Sequence, residues 1–240
     1  MIVITERWFQ LGNRLFTMGH FIGAAQEYGF RVANPAFADY AEYFQTTRVD
    51  IWCRFPPRPS GFSSCRHFMS WLERPSKFLT GMIFNYHLSN RLLRSVAVGL
   101  YDEFPLNSPQ FLEWAHRNWI LLVHGWTFRD HASFNKHAQI IRDYFVPIPT
   151  LIERVNRVEK CGRDTADILI GIHLRQGDYK QHLDGKYYYT TDQYVNIMDQ
   201  ISALFPGQKI KYLICSNAPQ PEELFERFSW VRGDGHLVVD

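Results

Sequence analysis

Arg175 is a permanent planar cation whose fork of N–H donors suits a phosphate or a carboxylate. It stands in the run Asp167-Ile168-Leu169-Ile170-Gly171-Ile172-His173-Leu174-Arg175-Gln176-Gly177-Asp178-Tyr179, where a short apolar stretch gives way abruptly to polar residues. A run that apolar and that short predicts a buried central strand. The polar cluster then falls at the strand's C-terminal end, the edge where open α/β sheets bind ligands. Gly177 supplies a tight turn at low steric cost. The chemistry implied is anion recognition at the mouth of a Rossmann-like sheet. A plainer reading stays open, in which Arg175 and Asp178 form an ion pair that closes a loop.

Two other places carry similar chemistry. Ile2-Val3-Ile4 reads as a short strand that leads through Leu11-Gly12-Asn13 into a segment with Leu15, Met18, Ile22 and Ala25 at helical spacing, ended by Gly29. Strand, glycine turn and helix together point backbone N–H groups at an anion. The alternative is an ordinary turn in which Gly12 relieves strain and Asn13 caps the helix. Ser216-Asn217 stands just past the β-like run Ile210-Lys211-Tyr212-Leu213-Ile214, again on a ligand-binding edge.

His173 to Tyr179 resembles the His-x-Arg-Arg-Gly-Asp-Tyr motif of the α1,2-fucosyltransferases (glycosyltransferase family 11), which the α1,6- and protein O-fucosyltransferases share more loosely. Gln10-Leu11-Gly12-Asn13-Arg14-Leu15-Phe16 is similar to the Gly-x-Gly-Asn-x-Leu-Phe that opens those enzymes. Gly125-Trp126-Thr127-Phe128-Arg129-Asp130, followed by Ile140-Ile141-Arg142-Asp143-Tyr144-Phe145, resembles their Gly-aromatic segment and Ile-Arg-x-x-Phe helix. The matches keep the family's order. Gln176 departs from it, replacing the second arginine of the pair.

The resemblance implies an α/β, GT-B-like fold of two Rossmann-like lobes facing a cleft. It implies an inverting enzyme that moves fucose from GDP-fucose to a galactoside hydroxyl of a glycan, with an α1,2 link. Arg175 would stabilise the departing diphosphate, and Gly12, Asn13, His173, Asp178, Ser216 and Asn217 would complete donor binding. The sequence has no Asp-x-Asp pair to hold a catalytic metal, so no metal and no further cofactor is expected. Direct displacement needs a base for the acceptor hydroxyl, and Asp184, His182 and His124 are the candidates. His124 at a strand end also fits a purely structural role. Two other readings stay open: a non-catalytic nucleotide-sugar or glycan-binding homologue, and a glycosyltransferase with another donor.

Composition sets the bounds. The chain has 240 residues, 46% hydrophobic and 16% aromatic, enough for a sizeable core. A net charge of +2 gives no electrostatic case for a nucleic-acid partner. Arg48, Arg54, Arg58, Arg66 and Arg74 interleave with aromatics and prolines, as an acceptor face, a membrane-surface face or a solvated loop face would. No Cys-x-x-Cys pair occurs, so neither zinc nor a redox dithiol is indicated. Cys53 and Cys65 could bridge, which spacing cannot decide. No apolar run approaches the roughly 20 residues that span a bilayer, and a cytoplasmic protein is expected; Golgi members of the resembled family carry a membrane anchor, so the resemblance implies a bacterial-type enzyme.

The remaining elements follow from punctuation. Phe30 to Asn34 reads as a second strand. Residues 36–107 are broken by prolines, with a strand or short helix over Lys77 to Asn90 and a strand over Leu92 to Leu100. The aromatics there would be core or would stack on sugars. Ser108-Pro109 starts a helix to about Asn118, and Trp119 to Gly125 is a buried strand. Phe134 to Phe145 and Thr150 to Cys161 read as helices. Residues 1–149 then form an acceptor-side lobe, 150–164 a connector and 165–240 a nucleotide-sugar lobe. Thr190 or Thr191 caps a helix through Leu204, Pro221-Glu222-Glu223 opens another, and Val238-Val239-Asp240 looks like a last strand. Members of the resembled family continue beyond such a strand, so the C-terminal lobe is expected to be incomplete.

Overall fold

The computed structural model describes residues 1–58, 91–236, 238 and 239. The element expected at Lys77–Asn90, the partner proposed for Cys53, and Arg66 and Arg74 lie outside the described residues. The chain divides into two compact units, Met1–Ile148 and Pro149–Asp240.

The first unit contains β1 (Ile2–Ile4), α1 (Leu11–Tyr28), β2 (Val32–Ala33), β3 (Leu93–Ala97), β4 (Phe104–Pro105), α2 (Pro109–Arg117), β5 (Ile120–His124), β6 (Phe128–Arg129), α3 (His131–Lys136) and α4 (Ala138–Tyr144). Four strands form a parallel sheet in the order β2-β1-β5-β3, and β4 and β6 form a second parallel pair. Parallel strands need crossovers, and helices supply them. Ile2, Ile4, Leu121 and Val123 from the sheet pack with Phe21 and Ile22 of α1, Phe111 of α2, and Phe128 in one core. α1 ends where Gly29 turns left-handed (φ 75°) and its N–H reaches Ala25 O. α2 starts where the Ser108 hydroxyl accepts from Phe111 N at 3.3 Å, with Pro109 next.

Gly23 allows α1 to meet α3. A Cβ there would lie 2.8 Å from the Ser133 carbonyl oxygen and 2.9 Å from Phe134 N. The helix expected over Phe134–Phe145 is two helices instead. Asp130 accepts from Ser133 N at 3.0 Å and so caps an earlier start. The path breaks at His137, where Lys136 and His137 both contact Glu27, at 2.8 and 2.7 Å. The aromatics that precede residue 107 and are described go mainly to packing. Phe37, Phe44 and Phe55 are buried, and Phe104 packs against the core. Arg54 pairs with buried Asp50 at 2.9 Å. Cys53 is a buried free thiol, and that burial pushes its pKa up.

The second unit contains α5 (Pro149–Arg163), β7 (Ile168–Leu174), α6 (Thr191–Ala203), β8 (Ile210–Ser216) and β9 (Trp230–Arg232), with short 3-10 turns after β7 and β8. The segment expected as a connector is almost wholly α5. It packs within this unit, with Lys211 Nζ donating to Cys161 O at 2.7 Å and Arg154 Nε donating to Asp234 Oδ2 at 3.1 Å. The three strands are parallel in the order β7-β8-β9. One face buries Ile172, Leu174, Tyr212 and Ile214 against Val195 and Met198 of α6 and Phe225. Tyr212 is satisfied inside this core: its hydroxyl donates to Met198 O at 2.8 Å and lies 2.8 Å from Ser202 Oγ.

Two expectations are corrected here. The strand before Arg175 is not central among the described residues. β8 has partners on both sides, whereas β7 pairs only with β8, and Gly171 and His173 on its other face are exposed. The last strand is Trp230–Arg232 rather than Val238-Val239, which lie in a turn. Gly233 still donates to Ile214 O at 2.9 Å, and left-handed Gly235 (φ 79°) turns the chain before Val238 is reached.

Candidate functional site

The C-terminal edge of the second sheet gathers most of the residues singled out by their chemistry. Arg175 follows directly on buried Leu174. Its Nη2 donates to Asp178 Oδ2 at 3.0 Å, and its guanidinium carbon lies 4.7 Å from the centre of the Tyr179 ring. The ion pair of the plainer reading therefore exists. It is open to water, and such pairs contribute ~0–1 kcal/mol. The hydrogen bond to Asp178 raises the Arg175 pKa further, and the same bond holds the Asp178 carboxyl below its ordinary range. Arg175 Nε is buried and has no hydrogen-bond partner among the described residues.

Gln176 is turned into the structure. Its backbone N–H and that of Gly177 both donate to Asn217 Oδ1, at 2.9 and 3.2 Å. Its side-chain Nε2 donates to Tyr189 O at 2.9 Å, and its Oε1 accepts from Gln220 Nε2 at 2.8 Å. Gln220 Nε2 also reaches Ser216 Oγ at 3.0 Å, and Gln220 Oε1 accepts from Thr191 Oγ1 at 2.8 Å. The position thus ties the end of β7 to the start of α6 and the end of β8. An arginine there has no acceptor group and would leave Gln220 without one partner. Gly177 is not left-handed (φ −41°). Its lack of a side chain answers to proximity, since a Cβ would sit 3.0 Å from Asn217 Nδ2.

Ser216 and Asn217 are on this edge, as expected, but their side chains chiefly order the loops. Ser216 Oγ donates to Ala218 O at 2.8 Å. His173 is on the exposed face of β7, in register with Cys215. His182 and Asp184 lie in the turn after Arg175. The His182 ring stacks near Tyr179 at 5.6 Å, and Leu183 and Asp184 both take left-handed backbone conformations (φ 47° and 55°). Beside β8 and β9 opens a cavity of about 810 Å³, lined by Asn217, Gln220, Glu222, Trp230, Arg232 and Asp234 among others. Trp230, Arg232 and Glu222 were not expected from the sequence. The signal was present: Arg232 ends β9 and Gly233-Asp234 follow it, as Arg175-Gln176-Gly177-Asp178 follow β7.

In the first unit α1 begins at Leu11, with Gln10 at the cap position and no side-chain cap. Gly12 and Asn13 are therefore inside the first turn, and Asn13 is not the cap. No atom lies within 4 Å of a Cβ built on Gly12, so the helix start is open there. His124 ends β5. Its Nδ1 is 3.1 Å from Thr5 Oγ1, and its Nε2 is 2.8 Å from Glu6 Oε2. Glu6 was not singled out by its sequence context. Asp130 of the third resemblance serves structure: besides capping α3 it accepts from Tyr28 OH at 3.0 Å. Its backbone N–H donates to Nδ1 of buried His20 at 3.0 Å.

No family model and no curated protein matches this chain. Solved structures do. POFUT1 in complex with GDP-fucose matches with a TM-score of 0.51 at 10% identity, over 99% of this chain and 85% of that chain. A mutant of Arabidopsis thaliana FUT1 in complex with GDP matches with a TM-score of 0.49 at 14% identity, over 98% of this chain and 60% of that chain. The first likeness shows the fold. The chain has an α/β architecture on parallel sheets, the GT-B-like fold of that structure. Among the described residues, no helix is long and apolar enough to cross a membrane.

Proposed function

We propose that this protein is a metal-independent, inverting glycosyltransferase that moves fucose from GDP-fucose to a galactoside hydroxyl, forming an α1,2 link. The observation that carries the reading is Arg175. It is a cation at the C-terminal edge of a parallel sheet, with one N–H buried and unsatisfied, on the edge that also holds the large cavity. An unpaired buried donor costs ~1–3 kcal/mol, which an incoming phosphate oxygen would offset. As the bond from fucose C1 to the diphosphate breaks, negative charge grows on the departing oxygen, and a preorganised cation stabilises that charge. Asp178 and the Tyr179 ring hold the guanidinium in place.

The donor edge comprises Arg175, Asp178, His173, Ser216 and Asn217; of these Ser216 and Asn217 line the cavity, together with Trp230 and Arg232. Gly12 and Asn13 are retained as donor contacts on the resemblance and on the open space over Gly12. His182 and Asp184 are the preferred bases, because their turn follows Arg175 directly and is held in a strained conformation. Calorimetry with GDP, GDP-fucose, UDP and UDP-galactose tests the donor, with Arg175→Ala as control. GDP-selective binding that Arg175→Ala weakens ~100-fold supports it. Equal binding of the uridine nucleotides points to another donor.

The second reading, a non-catalytic nucleotide-sugar-binding homologue, is favoured by Gln176, which supplies no charge and is spent on holding loops. GDP-fucose binding without release of GDP in the presence of a galactoside identifies that case.

A further inference from the structure

The edge of the first sheet carries a feature that the donor reading leaves unexplained. Beneath the loop between β1 and α1 lies a pit of about 10 Å³, lined by Glu6, Trp8, Arg14, Thr17, Asn34 and Trp126 among others. That volume admits a single hydroxyl-sized group. Trp8 Nε1 and Asn34 Oδ1 are both buried and without a hydrogen-bond partner among the described residues, whereas Glu6 Oε2 is taken up by His124 Nε2 at 2.8 Å. Asn34 is only 3% exposed. The pit therefore offers one unpartnered donor and one unpartnered acceptor to a group that must both accept and donate. A hydroxyl does this, whereas a phosphate or carboxylate oxygen cannot donate to Asn34.

The rim has the matching property. Phe9 is 47% exposed, and its ring touches the two tryptophans that line the pit, Trp8 at 5.7 Å and Trp126 edge-on at 5.3 Å. Phe9 holds a left-handed backbone (φ 55°), strained for a residue with a bulky side chain. Arg14 keeps it there, donating from Nε to Phe9 O at 3.2 Å and from Nη1 to Asp39 at 2.8 Å. Trp126 is fixed by Nε1 donating to Leu100 O at 3.2 Å. Arg7 also pairs with Asp39, at 3.1 Å, so the nearby cations face a carboxylate and the rim does not select an anion.

We propose that this rim and pit form a pyranose-binding subsite. The apolar face of a sugar ring stacks on Phe9, and one of its hydroxyls enters the pit, accepting from Trp8 Nε1–H and donating to Asn34 Oδ1. The proposal rests on the sugar-transfer reading only for the choice of sugars to offer. The pyranose is either the fucose of a donor or a sugar of an acceptor glycan.

Saturation-transfer NMR on the full chain, with methyl α-fucoside and methyl β-galactoside, tests it against Phe9→Ala and Asn34→Leu. Phe9 is exposed, so its variant keeps the fold even where Asn34→Leu does not. The expected result is ring-proton saturation in the wild type and affinity about tenfold or more weaker in Phe9→Ala. Arg175→Ala should weaken GDP and leave the pyranosides unaffected, which separates this site from the donor reading. Loss of GDP-fucose affinity relative to GDP in Phe9→Ala assigns the sugar to the donor. Loss for the galactoside alone assigns it to the acceptor. No saturation with either pyranoside, or saturation that Phe9→Ala leaves unchanged, overturns the proposal and leaves the pit to a bound water.

Discussion

At the residue scale, the same side chain can be legible in kind and illegible in role. Arg175 and Asp178 declare themselves by type and by their place after an apolar run, and the structure pairs them. Gln176 reads as a lost charge, and only the fold shows that its amide bridges Tyr189 and Gln220. Gln176→Arg should therefore not strengthen GDP binding, and should cost ~0.5–1.5 kcal/mol through the hydrogen bond with Gln220 that it removes. Urea titration beside GDP calorimetry measures both. His20 makes a second prediction. Burial pushes its pKa from 6.5 down to about 4, and its Nδ1 is already occupied in accepting from Asp130 N. The unfolded chain takes a proton near pH 6.5 while the native state resists until about 4. Stability is then full above pH 6.5, falls between 6.5 and 4, and is level below that, by on the order of 2–3 kcal/mol. His20→Gln should flatten this window in melts recorded from pH 7 to 4. An undiminished slope would assign the titration elsewhere.

At the element scale, what the sequence reveals depends on how local the cause is. α2 was legible because Ser108 and Pro109 are adjacent, and α6 because Thr190 starts a capping box completed by Gln193. β1, β5, β7 and β8 were legible as short apolar runs. The edge position of β7 was not, because strand order depends on pairings with distant residues. β9 was missed because Trp230-Val231-Arg232 ends in a charge and is not the apolar run that Ile2-Val3-Ile4 is. The alternative in which Asn13 caps α1 does not hold, because the helix begins earlier, at Leu11, with Gln10 at a cap position that makes no side-chain bond. The approach of α1 to α3 at Gly23 is equally invisible in sequence. Gly23→Ala should gain helix propensity locally and still lose ~1–3 kcal/mol, since the backbone of Ser133 and Phe134 must move away. A rise in melting temperature would show that the two helices separate without cost. Thr190→Ala is the milder case and should cost ~1 kcal/mol, the worth of one cap.

At the scale of the whole molecule, the compact units part between Ile148 and Pro149. Each unit has its own core. One is built around Phe21, Phe111 and Leu121, the other around Leu174, Met198 and Tyr212. Chains with separate cores need not unfold in one step, so calorimetry should resolve two transitions. Phe111→Ala should lower only the one belonging to residues 1–148, and Met198→Ala only the other, by ~2–5 kcal/mol each. This assignment gives the donor reading a test that does not depend on turnover. A ligand stabilises what it binds by RT ln(1 + [L]/Kd), about 2.7 kcal/mol at 100 times Kd. If GDP sits at the Arg175 edge, it raises the transition that Met198→Ala lowers, and Arg175→Ala abolishes the rise. If GDP raises only the transition that Phe111→Ala lowers, Arg175 is the loop-closing ion pair of the plainer reading and the nucleotide is held by the first unit.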